Sequence, residues 1–169
     1  MPRRYKRSSL KTILIYCEWY CEYAFCLYLR EIFHIRWSGF IITVGNWFWW
    51  SPVKTVERAI NQDGYDHKFV WIDTDRSEID DAKELASRKD IKVIENIPCI
   101  EAEILKLKVI STKWSSKKHK KIFLDNFPGI DLTEKDHYNR LFWDWELVRS
   151  IDNSEAIKTI LSIISDWNL

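Results

Sequence analysis

Phe69-Val70-Trp71-Ile72-Asp73-Thr74-Asp75 and Ile13-Leu14-Ile15-Tyr16-Cys17-Glu18 are built alike: each is a short apolar run that stops at an acid. Runs of this length without polar alternation predict strands buried on both faces of a parallel sheet. In both, the acids come at the C-terminal end, and Glu22 follows Glu18 by four residues. Open α/β sheets bind their ligands outside the carboxyl ends of the strands. A Glu on one strand and an Asp-x-Asp pair on another, at that shared edge, predict a divalent-metal site and phosphate chemistry.

The rest of the chain fits around these two runs. Strands are expected at 12–17, 40–45, 68–73 and 91–95, alternating with helices at 20–34, 52–62, 78–88 and 99–108. Such alternation implies βαβ units and an α/β fold. Ser51-Pro52 reads as an N-cap followed by proline in the first turn, and Gly64 closes a Gln-Asp-Gly turn. Three segments result: a basic N-terminal arm at 1–10, an α/β domain at 11–110, and a helical C-terminal extension at 111–169 with helices at 116–126, 133–142 and 153–166.

Composition excludes several classes. A net charge of +1 gives no global nucleic-acid signal, so any such surface is local: Arg3, Arg4, Lys6 and Arg7 in the arm, or the run Lys113 to Lys121. Each of these reads either as a phosphate-seeking element or as a solvated segment. No stretch approaches the ~20 apolar residues of a membrane span, so no membrane partner is expected. Cys17, Cys21, Cys26 and Cys99 lack the spacing of a zinc knuckle or a disulfide framework, which points to reduced thiols and a cytoplasmic setting.

The chain has 4 Gly and 10 Trp, where average usage gives roughly 12 Gly in a chain of this length. Trp19 and the cluster Trp47, Trp49 and Trp50 stand at strand-to-helix turns, where a backbone free to reach φ > 0 is useful. We therefore expect these positions to be UGA codons that the source organism reads as glycine, and extend the reading to Trp37. The alternative is a genuine Trp-rich surface that stacks bases or docks a protein. TGG codons at 47, 49 and 50 would end the recoding idea.

With that allowance, Ile13-Leu14-Ile15-Tyr16-Cys17-Glu18-Trp19-Tyr20-Cys21-Glu22 resembles the strand and Glu-Gly-x-x-Glu turn of the Toprim superfamily, in particular its small RloB-like members from bacterial and archaeal defence islands. Phe69 to Arg76 is similar to the family's Asp-x-Asp strand, and Asn96-Ile97-Pro98-Cys99-Ile100-Glu101 to the Pro-Cys-Phe-Glu segment that opens a later helix. The resemblance covers about residues 10–110 and departs at Trp19. It implies a Toprim-like three-layer fold with a mostly parallel central sheet. It also implies that Glu18, Asp73 and Asp75 hold Mg²⁺, with Mn²⁺ as a substitute.

The residues then have the following expected roles. Glu18, Asp73 and Asp75 are either metal ligands or acids at helix starts, and Glu18 is alternatively a general acid or base. Glu22 and Glu101 are candidates for a supporting shell around the metal, while Glu101 also suits a helix dipole. Gly45, Asn46, Ser51 and Lys54 surround a helix N-terminus fit for phosphate. Lys117, Lys118, Lys120 and Lys121, with His119 and Trp114, are candidates for nucleic-acid contacts. Cys99 reads as a buried small hydrophobe. The function expected is a Mg²⁺-dependent nuclease or related phosphoryl-transfer enzyme on nucleic acid, working with a partner protein in phage or mobile-element defence. Two other classes stand beside it: a non-catalytic nucleotide- or nucleic-acid-binding regulatory module, and a Trp-rich interaction protein.

Overall fold

The computed structural model describes residues 10–34, 40–46, 51–110 and 113–165. The expectations placed on the arm before Leu10, on Trp37, and on Trp47, Trp49 and Trp50 lie outside the described residues.

The two apolar runs form β1 (Lys11–Cys17) and β3 (His67–Asp73), and β2 (Phe40–Asn46) and β4 (Lys92–Asn96) complete a sheet in the order β2-β1-β3-β4. Every pairing is parallel. The crossovers run through α1 (Tyr20–Phe33), α2 (Pro52–Ile60) and α3 (Ile79–Arg88). From β1 the chain steps one way to β2, then returns past β1 to β3 and continues to β4. Right-handed crossovers therefore place α1 on one face and α2 and α3 on the other. Strand alternation sorts the side chains to match. Ile13, Ile15 and Cys17 join the core under α1, while Leu14 and Tyr16 pack with Val56 and Ala59 of α2 and Ala82 and Ala86 of α3. This two-sided burial explains why β1 reads as a continuous apolar run.

After β4 come α4 (Ile100–Leu107), α5 (Ser116–Asn126), α6 (Tyr138–Leu141), α7 (Asp144–Ser150) and α8 (Glu155–Ser165). α8 packs on α1 and β4, and its Ile157, Ile160 and Ile164 belong to the same core as Ile13 and Phe25. The Tyr138 ring stacks on Phe25 with centroids 4.6 Å apart. The Tyr138 hydroxyl bridges the carbonyls of Cys21 at 3.0 Å and Leu132 at 2.9 Å. The chain beyond residue 110 thus completes the α1 layer and sets α5 against α4. The architecture is the three-layer α/β arrangement expected, with C-terminal helices and an all-parallel sheet, a form consistent with a Toprim-like fold.

Two local expectations differ. The helix expected over 133–142 divides into a 3₁₀ turn, Lys135–His137, and the short α6. α7 was not expected, because its segment carries no long apolar stripe: Leu147 is buried while Trp143, Trp145 and Val148 are exposed. No helix among the described residues is long and apolar enough to cross a membrane.

Candidate functional site

The strand order puts a topological switch point between β1 and β3, and both acid clusters lie at its carboxyl edge. Cys17 pairs with Trp71, and the ladder continues one step as the Glu18 N–H donates to the Trp71 carbonyl at 3.0 Å. Glu18 consequently lies beside the end of β3, where its Oε2 accepts the Asp73 backbone N–H at 3.0 Å. Glu22, in the first turn of α1, comes to the same place. Glu18, Glu22 and Asp73 are 1%, 0% and 6% exposed. Three carboxyls removed from water at one point demand compensation.

Part of it comes from Asn96, the last residue of β4, a residue for which the sequence reading gave no role. Its Nδ2 donates to Asp73 Oδ1 at 2.9 Å and to Glu22 Oε1 at 3.0 Å. Its Oδ1 accepts the Trp71 indole N–H at 2.7 Å. Indole is a donor only, so this bond fixes which end of the amide faces the acids. Trp71 is wholly buried and serves both as core and as the device that orients Asn96. Trp71→Phe keeps the aromatic bulk and removes that donor. The variant should lose about 1–2 kcal/mol in urea unfolding, and a loss below the error of the measurement would show that Asn96 needs no such support.

Compensation remains incomplete. Glu18 Oε1 and Glu22 Oε2 are buried and have no hydrogen-bond partner among the described residues. Burial raises the Glu18 carboxyl to about 7, with the charge of Asp73 adding to the effect. Asp73 is pushed to about 6, first by burial and further by Glu101 and Asp75, while its bond to Asn96 pulls the other way. Glu22 is held well above the ordinary carboxylate range by burial and then by Asp73. The metal-free cluster therefore carries protons near neutral pH. Its donor set is all oxygen, which suits a hard divalent cation, and orphaned buried oxygens are what such a cation would satisfy. As the side chains stand, no three His, Cys, Asp or Glu groups among the described residues are gathered to hold a metal ion. Mg²⁺ needs only one or two direct carboxylates, with water and substrate phosphate oxygens completing its shell.

The other expected residues fall at graded distances from this centre. β3 ends at Asp73, so Thr74 and Asp75 lie in a turn and Asp75 does not continue the strand's alternation. Asp75 is exposed, 3.8 Å from the Arg76 guanidinium, and is not brought into the buried trio. Glu101 and Glu22 line a cavity of about 300 Å³ together with Asp73, Trp19, Arg76 and Lys120. Glu101 Oε2 is also buried without a partner among the described residues. Arg76 lies over the Trp19 ring at 5.1 Å. Trp19 itself has φ −125° and ψ 169°, an extended conformation open to any residue, so the expected need for glycine at this turn is not met. Cys99 is fully buried, and burial together with Glu101 pushes its thiol far above the usual range, as fits a packing role.

Gly45 and Asn46 end β2 on the same edge, in register with Tyr16 and Cys17. A Cβ at Gly45 would stand 2.9 Å from the Tyr16 ring. Close packing against that ring therefore already accounts for glycine here. Asn46 Nδ2 has no partner among the described residues. Ser51 is the N-cap of α2 but makes no side-chain cap bond, and Lys54 pairs with Glu57 at 2.7 Å on the exposed face. In α5, Lys117, Lys118 and Lys121 are exposed, with Lys118 4.6 Å from the Trp114 ring. His119 is fully buried and so turned away from any passing base. Lys120 alone of the four lysines lines the acid cavity. Partial burial acts to lower its ammonium, but Glu101, Cys99, Asp73 and Asp75 together outweigh this and hold it above the ordinary lysine value.

No family model matches this chain, and no curated protein or solved structure matches it.

Proposed function

We propose that the protein is a Mg²⁺-dependent phosphoryl-transfer enzyme of the Toprim type, acting as a nuclease on nucleic acid. The observation that carries this reading is the burial of Glu18, Glu22 and Asp73 together at the switch point with two carboxylate oxygens left unpartnered. Burying acids together is costly, and carboxyls perturbed in this way cluster at functional sites. Asp73 and Glu22 are the residues that would hold the ion; Asp75, in the exposed turn, stands outside the buried trio. The metal, when bound, would polarise a phosphoryl oxygen and neutralise charge that develops in displacement.

Glu18 has the protonation behaviour of a general acid or base. With its carboxyl raised to about 7, it is populated in both forms near neutrality, where proton transfer is most efficient. Its Oε2 is fixed by the Asp73 N–H, which leaves Oε1 to give or take the proton. A role in phage or mobile-element defence, with a partner protein and a cytoplasmic location, follows only from the resemblance of the acid-bearing segments to RloB-like chains.

The second reading is a non-catalytic nucleotide- or nucleic-acid-binding module. It is favoured by one observation: the Asn96 amide stands between Glu22 and Asp73 and already satisfies one oxygen of each. Incubating the purified protein with end-labelled DNA and RNA separates the two readings. Cleavage with Mg²⁺ or Mn²⁺ that EDTA abolishes is the expected result. Binding without cleavage under every divalent ion would transfer the protein to the second class.

A further inference from the structure

Lys120 stands on the wall between two cavities. The acid cavity, of about 300 Å³, and a second one of about 430 Å³ share Cys21, Glu101 and Lys120 among their lining residues. The second cavity runs between α5 and residues 130–132, and beyond the shared residues it is lined by Phe123, Leu124, Ile130 and Leu132, with Asp131 as its one further acid. Lys120 and Leu124 are one helical turn apart, so both face this groove. The Lys120 ammonium has no hydrogen bond or ion pair among the described residues, although Glu22, Asp73 and Glu101 line the same cavity. Leu124 is 60% exposed.

An anion cannot approach three acids without positive charge to meet it; of the two cations that line the cavity, Arg76 lies over the Trp19 ring and 3.8 Å from Asp75, which leaves Lys120. We propose that Lys120 is the ligand for a phosphate of the nucleic acid, and that the second cavity beyond it receives the unstacked base attached to that phosphate. The protein accordingly binds single-stranded nucleic acid across Lys120, with the strand passing from the acid cavity into the groove under Leu124. A cavity of this size takes one splayed nucleotide, whereas a duplex keeps its bases stacked inside and offers the groove only its backbone. Among the lysines of α5, only Lys120 has this double placement. Lys121, one residue on, is exposed and lines neither cavity.

This inference rests on the reading of the acid cluster as a phosphoryl-transfer site, and its test keeps the two apart. Fluorescence anisotropy would be measured with a short labelled single-stranded oligonucleotide and with its duplex, in Ca²⁺, for the parent protein, Lys120→Ala, Leu124→Asp and Lys121→Ala. Calorimetric titration with Mn²⁺ alone reports on the acid cluster in the same proteins. The expected result is preference for the single strand, about tenfold weaker binding for Lys120→Ala and Leu124→Asp, and little change for Lys121→Ala. Lys120→Ala should also lower the salt slope by about 0.7, the value of one phosphate contact on a single strand. Leu124 is exposed, so its replacement leaves the core intact, and both variants should bind Mn²⁺ as the parent does. Equal binding of duplex and single strand, or equal effects of Lys120→Ala and Lys121→Ala, would overturn the inference. Absence of Mn²⁺ binding with strand binding still dependent on Lys120 and Leu124 would overturn the metal-site reading and leave this one standing.

Discussion

Asp73→Asn is expected to lower metal-dependent cleavage by on the order of 10³ at fixed Mg²⁺, because the interaction lost is Lewis-acid stabilisation worth several kcal/mol. The substitution keeps the side chain's size. Asn can still offer an oxygen to the Asn96 amide, which now donates to Asp73 Oδ1, and the Glu18 bond uses the Asp73 backbone and is untouched. Folding should survive. Removing one of three buried carboxylates also relieves Glu22, whose carboxyl is raised by burial and by the charge of Asp73, so the metal-free variant should melt no lower than the parent. Asp80→Asn is the control. Asp80 is an exposed first-turn acid of α3, and its loss should leave activity within a few-fold. Single-turnover rates for the three proteins, beside their melting curves, make the comparison. Full metal-dependent cleavage by Asp73→Asn would remove the acid cluster from the chemistry.

The metal-free protein should become less stable as pH rises from about 4.5 to about 7, the reverse of ordinary acid denaturation. Glu18 is ionised at about 4.5 when unfolded and at about 7 when folded. Between these values the folded state binds more protons than the unfolded one, and stability then falls with increasing pH. Below about 4.5 the contribution is fully present, and above about 7 it has gone. At about 1.4 kcal/mol per pH decade, Glu18 accounts for on the order of 3 kcal/mol, and Asp73, raised to about 6, acts in the same sense. Urea unfolding in EDTA across this range should show the decline, and Glu18→Gln should remove much of it. A divalent cation should restore stability at pH 8 and do little at pH 5, where protons occupy the same oxygens. Stability that is flat or rising over this window would mean that the carboxyls are not held protonated as a cluster.

How much of this was legible in the sequence varies with the residue. β1 and β3 were readable because strands buried on both faces have no polar alternation to obscure them, and their ends came within a residue of those expected. Glu18 and Asp73 were readable with them, since an acid that ends such a run must sit at the sheet edge. Asp75 looked equivalent to Asp73, because residues two apart share a face for as long as a strand lasts. The strand stops at Asp73, and the equivalence stops there too. Glu22 was seen as an accompaniment to Glu18, yet it is the residue that the first turn of α1 buries most completely.

Asn96 carried no signal at all. An asparagine at the end of a strand reads as the start of a turn, and only the pairing of β3 with β4, which sets Asp73 against Asn96, turns it into the donor between two carboxyls. Trp71 lies inside the apolar run that forms β3. Its bond to Asn96 gives the indole a structural task that glycine has no atoms to perform. The lysine run gives charge without depth: four lysines within five residues look alike until α5 is set against α4. The sequence by itself determined the strands, the α/β class and the edge at which the acids meet, because those follow from local apolar patterning and chain direction. The tertiary structure decided which acids are buried together, which amide lies between them and which lysine reaches them. Those depend on the register between strands far apart in the chain and on the docking of the C-terminal helices through Tyr138 and Phe25, and neither leaves a periodic trace in the sequence.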